Sequence, residues 1–455
     1  MTALVERTDI ISPLAALVGA DIRVPLVTGE TVRYANLDLA ASAPALQQVA
    51  ERVAEILPLY SSVHRGAGYA SAVCTAAYEN ARTDIAAFVG AREDDVVIVV
   101  RNTTDALNLL ATAVPVSTGP SATAVPGQVV HLDIEHHANL LPWQGIGGRA
   151  VEARATLAET LATVEAELQR QPAALLAVTG ASNVTGEVLP LAELAAIAHR
   201  NGARIAVDGA QLVPHRRIDI AELGIDYLAF SGHKLYAPFG AGVLIGRRDW
   251  LSAAPPYLAG GGAVRQVTLA GTTWGEVPAR HEGGTPNVVG AVALAASCCV
   301  LAALPAEALH DHEQALLQRL QSGLAGIDGV RTLALWAEEA DRIGVVGFTV
   351  DGIPAELVAQ YLSAEHGIGV RDGRFCAHPF LARLTDGATA VRASIGIGSR
   401  SEDVDRLVAA VCSLREDGPR WTYADATGDY LPTPDPRPLP EWVTGSEAGR
   451  SACAD

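Results

Sequence analysis

The sequence contains no Cys-x-x-Cys pair. Its six cysteines, Cys74, Cys298, Cys299, Cys376, Cys412 and Cys453, stand at irregular spacings, which argues against a zinc knuckle and against a disulfide framework. Positive charge is also scarce: 33 Lys and Arg face 51 Asp and Glu, a formal charge of −18. So acidic a chain disfavours nucleic acid or an anionic membrane as partner, although a site can still gather cations around a small anion. The opening residues, MTALVERTDIISPL, lack a basic segment followed by an apolar stretch, so no signal peptide is expected. The longest uncharged apolar run, Val288 to Leu304, is short for a bilayer span. It is rich in Ala and Cys, stops at Pro305 and reads as a buried helix. No internal repeat is visible. The expectation is a soluble, cytoplasmic protein with neither nucleic acid nor membrane as partner.

What is present is core material. Of 455 residues, 49% are hydrophobic and 18% charged, enough for a large folded core in about three domains or two larger ones. Short apolar runs alternate with helical patterns. Val96–Val100, Ala174–Thr179, Ile205–Val207, Tyr227–Phe230 and Val243–Ile245 read as buried strands. Between them lie helix-sized patterns, such as the face Leu191, Leu194, Ile197, Ala198 closed by Gly202. Such alternation predicts βαβ units and a mostly parallel sheet, an α/β fold. After the apolar helix the pattern changes. A strand Val345–Val350 leads to a helix stopped by Gly367, and a last helix opens at Ser401. The expected organisation is an N-terminal arm over 1–35, a large domain over 36–299, a smaller α+β domain over 300–417 and a Pro-rich acidic tail over 418–455. The tail carries Trp421, Tyr423, Tyr430 and Trp442, aromatics that suggest packing on a surface, either this chain's or a partner's.

Ligand chemistry in a parallel sheet gathers outside the carboxyl ends of its strands. Asp208, in RIAVDGAQ, and Lys234, in YLAFSGHK, each follow a buried strand. A lone Asp there would be an ordinary loop residue. A matched Asp and Lys on successive strand ends are what pyridoxal phosphate requires: an amine for a Schiff base and a carboxylate to keep the ring nitrogen protonated. Thr103-Thr104, at a helix start near Asp105, offers hydroxyls, N–H groups and the positive helix end to a phosphate, or else a plain N-cap. Ser231 and His233 add donors.

The segments VHRG (63–66), NTTDALNLLA (102–111), EHHANLLPWQ (135–144), SNVTGEVLPL (182–191), VDGAQLVPH (207–215), FSGHKLYAPFGAGVL (230–244) and GGTPN (283–287) resemble the class V aminotransferase superfamily. They are most similar to its group II cysteine desulfurases and selenocysteine lyases, from about Asn36 to Leu414. The resemblance implies a fold-type-I pyridoxal-5′-phosphate enzyme, a homodimer with sites at the subunit interface. It assigns His136 to the ring face, Asp208 to the ring nitrogen, Gln211 to the phenolic oxygen and Lys234 to the Schiff base. Thr104, Ser231 and His233 would bind phosphate, with Thr285 reaching in from the other subunit. Asn183 and Arg392 would hold the substrate carboxylate, Arg by its two-pronged guanidinium. His64 and Arg65 would lie near the substrate. Cys376, in GVRDGRFCAHPF, falls on the family's RxGxxCA segment, begun by Arg371, at the position of the nucleophilic thiol. The family's two preceding histidines are replaced here by Arg374-Phe375, which leaves a cation to lower the thiol pKa.

The implied reaction turns L-cysteine, or selenocysteine, into alanine and passes the sulfur from a Cys376 persulfide to an acceptor protein or small thiol. The runner-up keeps the cofactor but catalyses another reaction: a C–S β-lyase, epimerase or aminotransferase on a specialised amino acid. A third reading is a non-catalytic homologue, against which the presence of both Asp208 and Lys234 speaks.

Overall fold

The computed structural model describes residues 10–115, 129–336, 340–425 and 428–443. Cys453 lies outside them. Seven strands form the main sheet: β1 (Asp95–Val100), β2 (Val129–Leu132), β3 (Arg149–Val151), β4 (Leu175–Thr179), β5 (Arg204–Asp208), β6 (Tyr227–Ser231) and β7 (Gly242–Arg247). Their order is β1-β7-β6-β5-β4-β2-β3. The predicted mostly parallel sheet is present, with one exception. β7 runs antiparallel to both of its neighbours, slipped between β1 and β6. The other pairs, β3-β2-β4-β5-β6, are parallel. β4 and β6 are buried at every residue, as continuous apolar runs covered on both faces must be.

Helices flank this sheet. α1 (Tyr69–Phe88) is rich in alanine, and α2 (Thr103–Ala113) begins two residues before the expected start. α3 (Val288–Ala303) is the expected apolar helix; it is mostly buried and packs on α1. Among the described residues no single helix is long and apolar enough to cross a membrane. α3 qualifies only when joined to Ala306–Ala325 across a 90° bend.

The smaller C-terminal sheet holds β8 (Val330–Thr332), β9 (Val345–Val350), β10 (Arg371–Gly373) and β11 (Ala390–Ser394) in the order β8-β9-β11-β10, all antiparallel. Against it lie α4 (Ala355–His366) and α6 (Ser401–Asp417), while α5 (His378–Thr385) buries Phe380 and Leu381 in the core of the large sheet. Gly367 ends α4 with φ +63, and a Cβ there would meet Val32 Cγ2 at 2.5 Å, so only glycine fits both the left-handed cap and the close approach. The N-terminal arm belongs to this region: Ala35–Asn36 pairs in parallel with Ile368–Gly369. Buried Glu187, after β4, accepts the N–H groups of Leu335 and Trp336 and pairs with Arg342, tying the two sheets together.

The described part of the tail packs on its own chain. The buried Glu365 carboxylate on α4 accepts the N–H groups of Arg420 and Trp421 and the Tyr423 hydroxyl, and Tyr423–Ala424 pairs with Leu431–Pro432.

Candidate active site

The carboxyl ends of β4, β5 and β6 converge on a cavity of about 300 Å³. Asp208 and Ser231 are the last residues of β5 and β6 rather than the first residues after them. Beyond Ser231 the chain turns through Gly232, where a Cβ would sit 2.9 Å from the carbonyl oxygens of Ala237 and Ala241; the turn that delivers Lys234 therefore takes glycine only. Loss of water around Lys234 brings its ammonium down to about 8, with Asp208, Cys376 and Asp38 resisting and Arg392 adding to the fall. Its Nζ has no hydrogen-bond partner among the described residues. Asp208 is buried and accepts the Ala210 N–H at 3.0 Å; burial holds its carboxyl above the usual range, so it calls for a cation.

His136 forms one wall. Its Nδ1 accepts the Ala138 N–H at 3.0 Å, which leaves the ring proton on Nε2. Burial, with Lys234, His137 and Arg392 nearby, pushes it to about 3, so the ring is neutral. Behind it, fully buried Glu135 accepts the Thr179 N–H at 3.1 Å and the Asn139 side-chain amide at 2.6 Å, and Asn139 in turn accepts Trp143 Nε1 at 2.9 Å. This network locks the His136 segment to the end of β4.

The third wall is the N-terminus of α2. Asn102 caps the Asp105 N–H, and Ser231 Oγ accepts the Thr103 N–H at 2.7 Å and pairs with the Thr103 hydroxyl at 2.6 Å. Within this first turn and among the described residues, the Thr104 N–H is left without a partner, beside the cavity and at the positive helix end. His233 also lines the cavity, brought down to about 4 by burial and Lys234. Gln211 is buried and donates to the Ala40 carbonyl.

The small region supplies the remaining wall. Arg392, in the middle of β11, is 4% exposed. It donates to the Asn183 carbonyl at 3.0 Å and to Asp38 at 3.3 Å, while its buried Nε has no partner. Arg371, on β10, joins it. Cys376 lies between β10 and α5. Phe375 and Cys376 both have φ 52, a left-handed pair that costs about 1–3 kcal/mol per residue. The Asn183 amide donates to the Phe375 carbonyl and the His137 N–H to the Cys376 carbonyl, each at 2.7 Å. Two hydrogen bonds contribute about 0.5–1.5 kcal/mol each, too little alone. The Phe375 ring, 5% exposed with the Arg392 guanidinium 5.2 Å from its centroid, adds about 1.5–3 kcal/mol by burial and closes the balance.

Thr104, His136, Asn183, Asp208, Gln211, Ser231, His233, Lys234, Arg371, Cys376 and Arg392 thus line one cavity. His64 and Thr285 do not: both are exposed elsewhere on the chain, His64 paired with Glu79 at 2.7 Å. Arg374 corrects an expectation. Its side chain is exposed and does not line the cavity, so the cations facing Cys376 are Lys234, Arg392 and Arg371. Asp38, Glu135, His137 and Phe375 escaped sequence reasoning; only the neighbouring motif at EHHAN hinted at two of them.

Residues 35–407 match the family model for class-V aminotransferases, and the chain belongs to that family. A probable cysteine desulfurase 2 of Mycobacterium leprae is 39% identical over 387 residues, 83% of this chain and 91% of that protein. A cysteine desulfurase of Escherichia coli is 38% identical over 388 residues, 83% of this chain and 92% of its own. Among solved structures, the E. coli cysteine desulfurase CsdA superposes with a TM-score of 0.73 at 32% identity, covering 84% of this chain and 95% of its own. A cysteine desulfurase from Thermococcus onnurineus gives 0.76 at 30%, covering 84% and 94%.

The family works with pyridoxal 5′-phosphate, and this protein is an enzyme of that kind. The cavity fits the group on its own terms. It offers an unpartnered amine at Lys234, an open N–H at a helix N-terminus, a buried carboxylate seeking a cation and a neutral ring wall.

Proposed function

We propose that this protein is a cysteine desulfurase, taking L-cysteine to L-alanine and keeping the sulfur on Cys376 as a persulfide. The observation that carries the reading is that the Cys376 thiol and the Lys234 amine line the same cavity. When bound, pyridoxal 5′-phosphate supplies an electron sink next to the substrate Cα. Lys234 would hold the cofactor's aldehyde end, and its amine is placed to move a proton at the substrate Cα. An amine titrating at about 8 is suited to both tasks near neutrality. Asp208 would keep the ring nitrogen protonated, Gln211 would serve the phenolic oxygen and neutral His136 would wall the ring. Thr104, Ser231 and His233 would hold the phosphate.

Arg392 receives the substrate carboxylate, its guanidinium lining the cavity, with Asn183 and Arg371 beside it. The Cys376 thiolate attacks the substrate sulfur. A sulfur–sulfur bond forms, the Cβ–S bond breaks with its electron pair going to carbon, and protonation at carbon gives alanine. His64 and Thr285, remote from this cavity, serve the partner's site in a homodimer. An acceptor protein or small thiol removes the persulfide sulfur.

The test is sulfide and alanine release from L-cysteine with a reductant, in wild type, Lys234→Ala and Cys376→Ala. Equal amounts in wild type and loss in both variants, on the order of 10²–10⁴-fold, are expected. Wild-type turnover by Cys376→Ala would overturn the reading and favour a β-lyase that releases sulfur without the thiol.

A further inference from the structure

Arg392 enters the cavity from the small sheet, and the stretch from Ala35 to Ala43 joins that sheet to the cofactor end. The stretch is fastened along its length. Leu37 donates to the Gly369 carbonyl at 2.8 Å and accepts the Ser394 N–H at 2.6 Å, while Ser394 Oγ accepts the Ala40 N–H at 2.9 Å. Farther on, the Ala40 carbonyl accepts the Gln211 amide at 2.9 Å, and Ala43 donates to the His233 carbonyl at 2.7 Å. Arg392 and Ser394 are two residues apart on β11 and so share one face of the strand. With Ser394 tied to Leu37 and Ala40, the Arg392 guanidinium lies against Asp38, at 3.3 Å. The Asp38 backbone is itself held, its N–H on Asn36 Oδ1 at 3.1 Å and its carbonyl accepting the Ala41 N–H at 3.0 Å.

We propose that Asp38 is a positioning residue for substrate recognition: it fixes the Arg392 guanidinium so that its remaining N–H groups meet the substrate carboxylate. The guanidinium is held by the Asn183 carbonyl at 3.0 Å, by the Phe375 ring with its centroid 5.2 Å away, and by Asp38. Of these only Asp38 bears charge, and it is the one carboxylate ion-paired with Arg392 among the described residues. Burial and Arg371 weigh against the cation on Arg392, and Asp38 supports it most. Two effects of Asp38 on an anionic ligand oppose each other. Its charge repels the ligand, while its bond to Arg392 orients the group that binds the ligand. The carboxylate is 26% exposed and does not line the cavity, so solvent screens the repulsion. The bond to the guanidinium is charge-assisted and acts on a side chain only 4% exposed, so orientation wins. An oxygen at that place is what the role needs, and an amide oxygen should serve nearly as well as a carboxylate.

The inference rests on Arg392 taking the substrate carboxylate, and it is read by binding rather than by turnover. The full-length, cofactor-loaded protein is titrated with L-alanine and, separately, with L-alaninamide, which has the same amine and side chain but no carboxylate. Each titration is followed by the change in cofactor absorbance. Wild type should prefer L-alanine. Asp38→Ala is expected to weaken L-alanine about tenfold and to leave L-alaninamide within about twofold. Asp38→Asn, which keeps an oxygen at the same reach, should weaken L-alanine by less than about threefold. The KM for L-cysteine should rise in step with the L-alanine constant, with kcat falling by less. Asp38→Ala that binds L-alanine as tightly as wild type, or more tightly, overturns the proposal. So does an equal loss of both ligands, which is what a merely structural role would give. If Asp38→Ala loses the cofactor absorbance, Asp38→Ser, too short to hold Arg392, is read in its place. A wild type that binds the two ligands alike would end both this inference and the assignment of Arg392. Sulfide and alanine release would still decide the desulfurase reading, in a separate assay.

Discussion

The cavity has two sides built on different principles. Asp208 and Ser231 end buried strands of the main sheet, and Lys234 follows a turn that admits only glycine at Gly232. Cys376 sits on a connection whose two adjacent left-handed residues are kept in place by Asn183, His137 and a buried phenyl ring. The rigid side suits a cofactor whose ring and phosphate must not move. The braced loop suits a group that takes sulfur from the substrate and then presents it outward. A site that must both fix one molecule and hand on part of another gains by dividing the two tasks between a sheet and a loop.

The division can be broken from either side. The largest effect is expected from Asp208→Asn on the sheet side. The shape is kept but the carboxylate is lost, so cofactor absorbance should survive while alanine formation falls on the order of 10²–10³-fold, as measured by kcat in saturating cysteine. Next is the pH dependence of cofactor capture. Only the neutral amine attacks the aldehyde, and burial has lowered Lys234 from the ordinary 10.5 to about 8. Capture by cofactor-free protein should therefore rise with pH, level off above about 8 and gain roughly tenfold from pH 7 to the plateau. A rate still climbing at pH 10 would mean an unshifted lysine. The smallest effect belongs to the loop. Asn183→Ala removes one hydrogen bond from the Phe375 carbonyl, about 0.5–1.5 kcal/mol, so persulfide formation in a single turnover should slow roughly two- to tenfold with cofactor absorbance unchanged. Loss of cofactor binding in that variant would show that loop and sheet are not separable.

The sheet side was legible in the sequence because buried strands announce themselves as apolar runs and their ends as the next polar residue. Hence Asp208 and Lys234 could be paired from spacing alone. Direction was not legible: the run Val243–Ile245 looks like its parallel neighbours, and only the tight return after Lys234 makes β7 antiparallel. Arg392 reads as an ordinary surface residue because a charge inside TAVRASIGIG gives no sign that it will be 4% exposed. The loop side was legible only through family resemblance, which stops at the departure Arg374-Phe375. Neither the hydrogen bond from Asn183 to Phe375, 192 residues apart, nor the contact of His137 with His378, 241 apart, leaves a periodic trace in the chain.

The reversed strand has a consequence for how the protein is made. The turn at Asn102–Thr104 follows β1, whose sole sheet neighbour is β7, while Ser231, which accepts the Thr103 N–H, ends β6 on the other side of β7. Thr103 and Ser231, 128 residues apart, come together only once β7 has been inserted between their strands. A chain emerging from the ribosome cannot make that contact before residue 247 is free. Tightly held cofactor, visible by its absorbance, therefore certifies that the sheet has been completed.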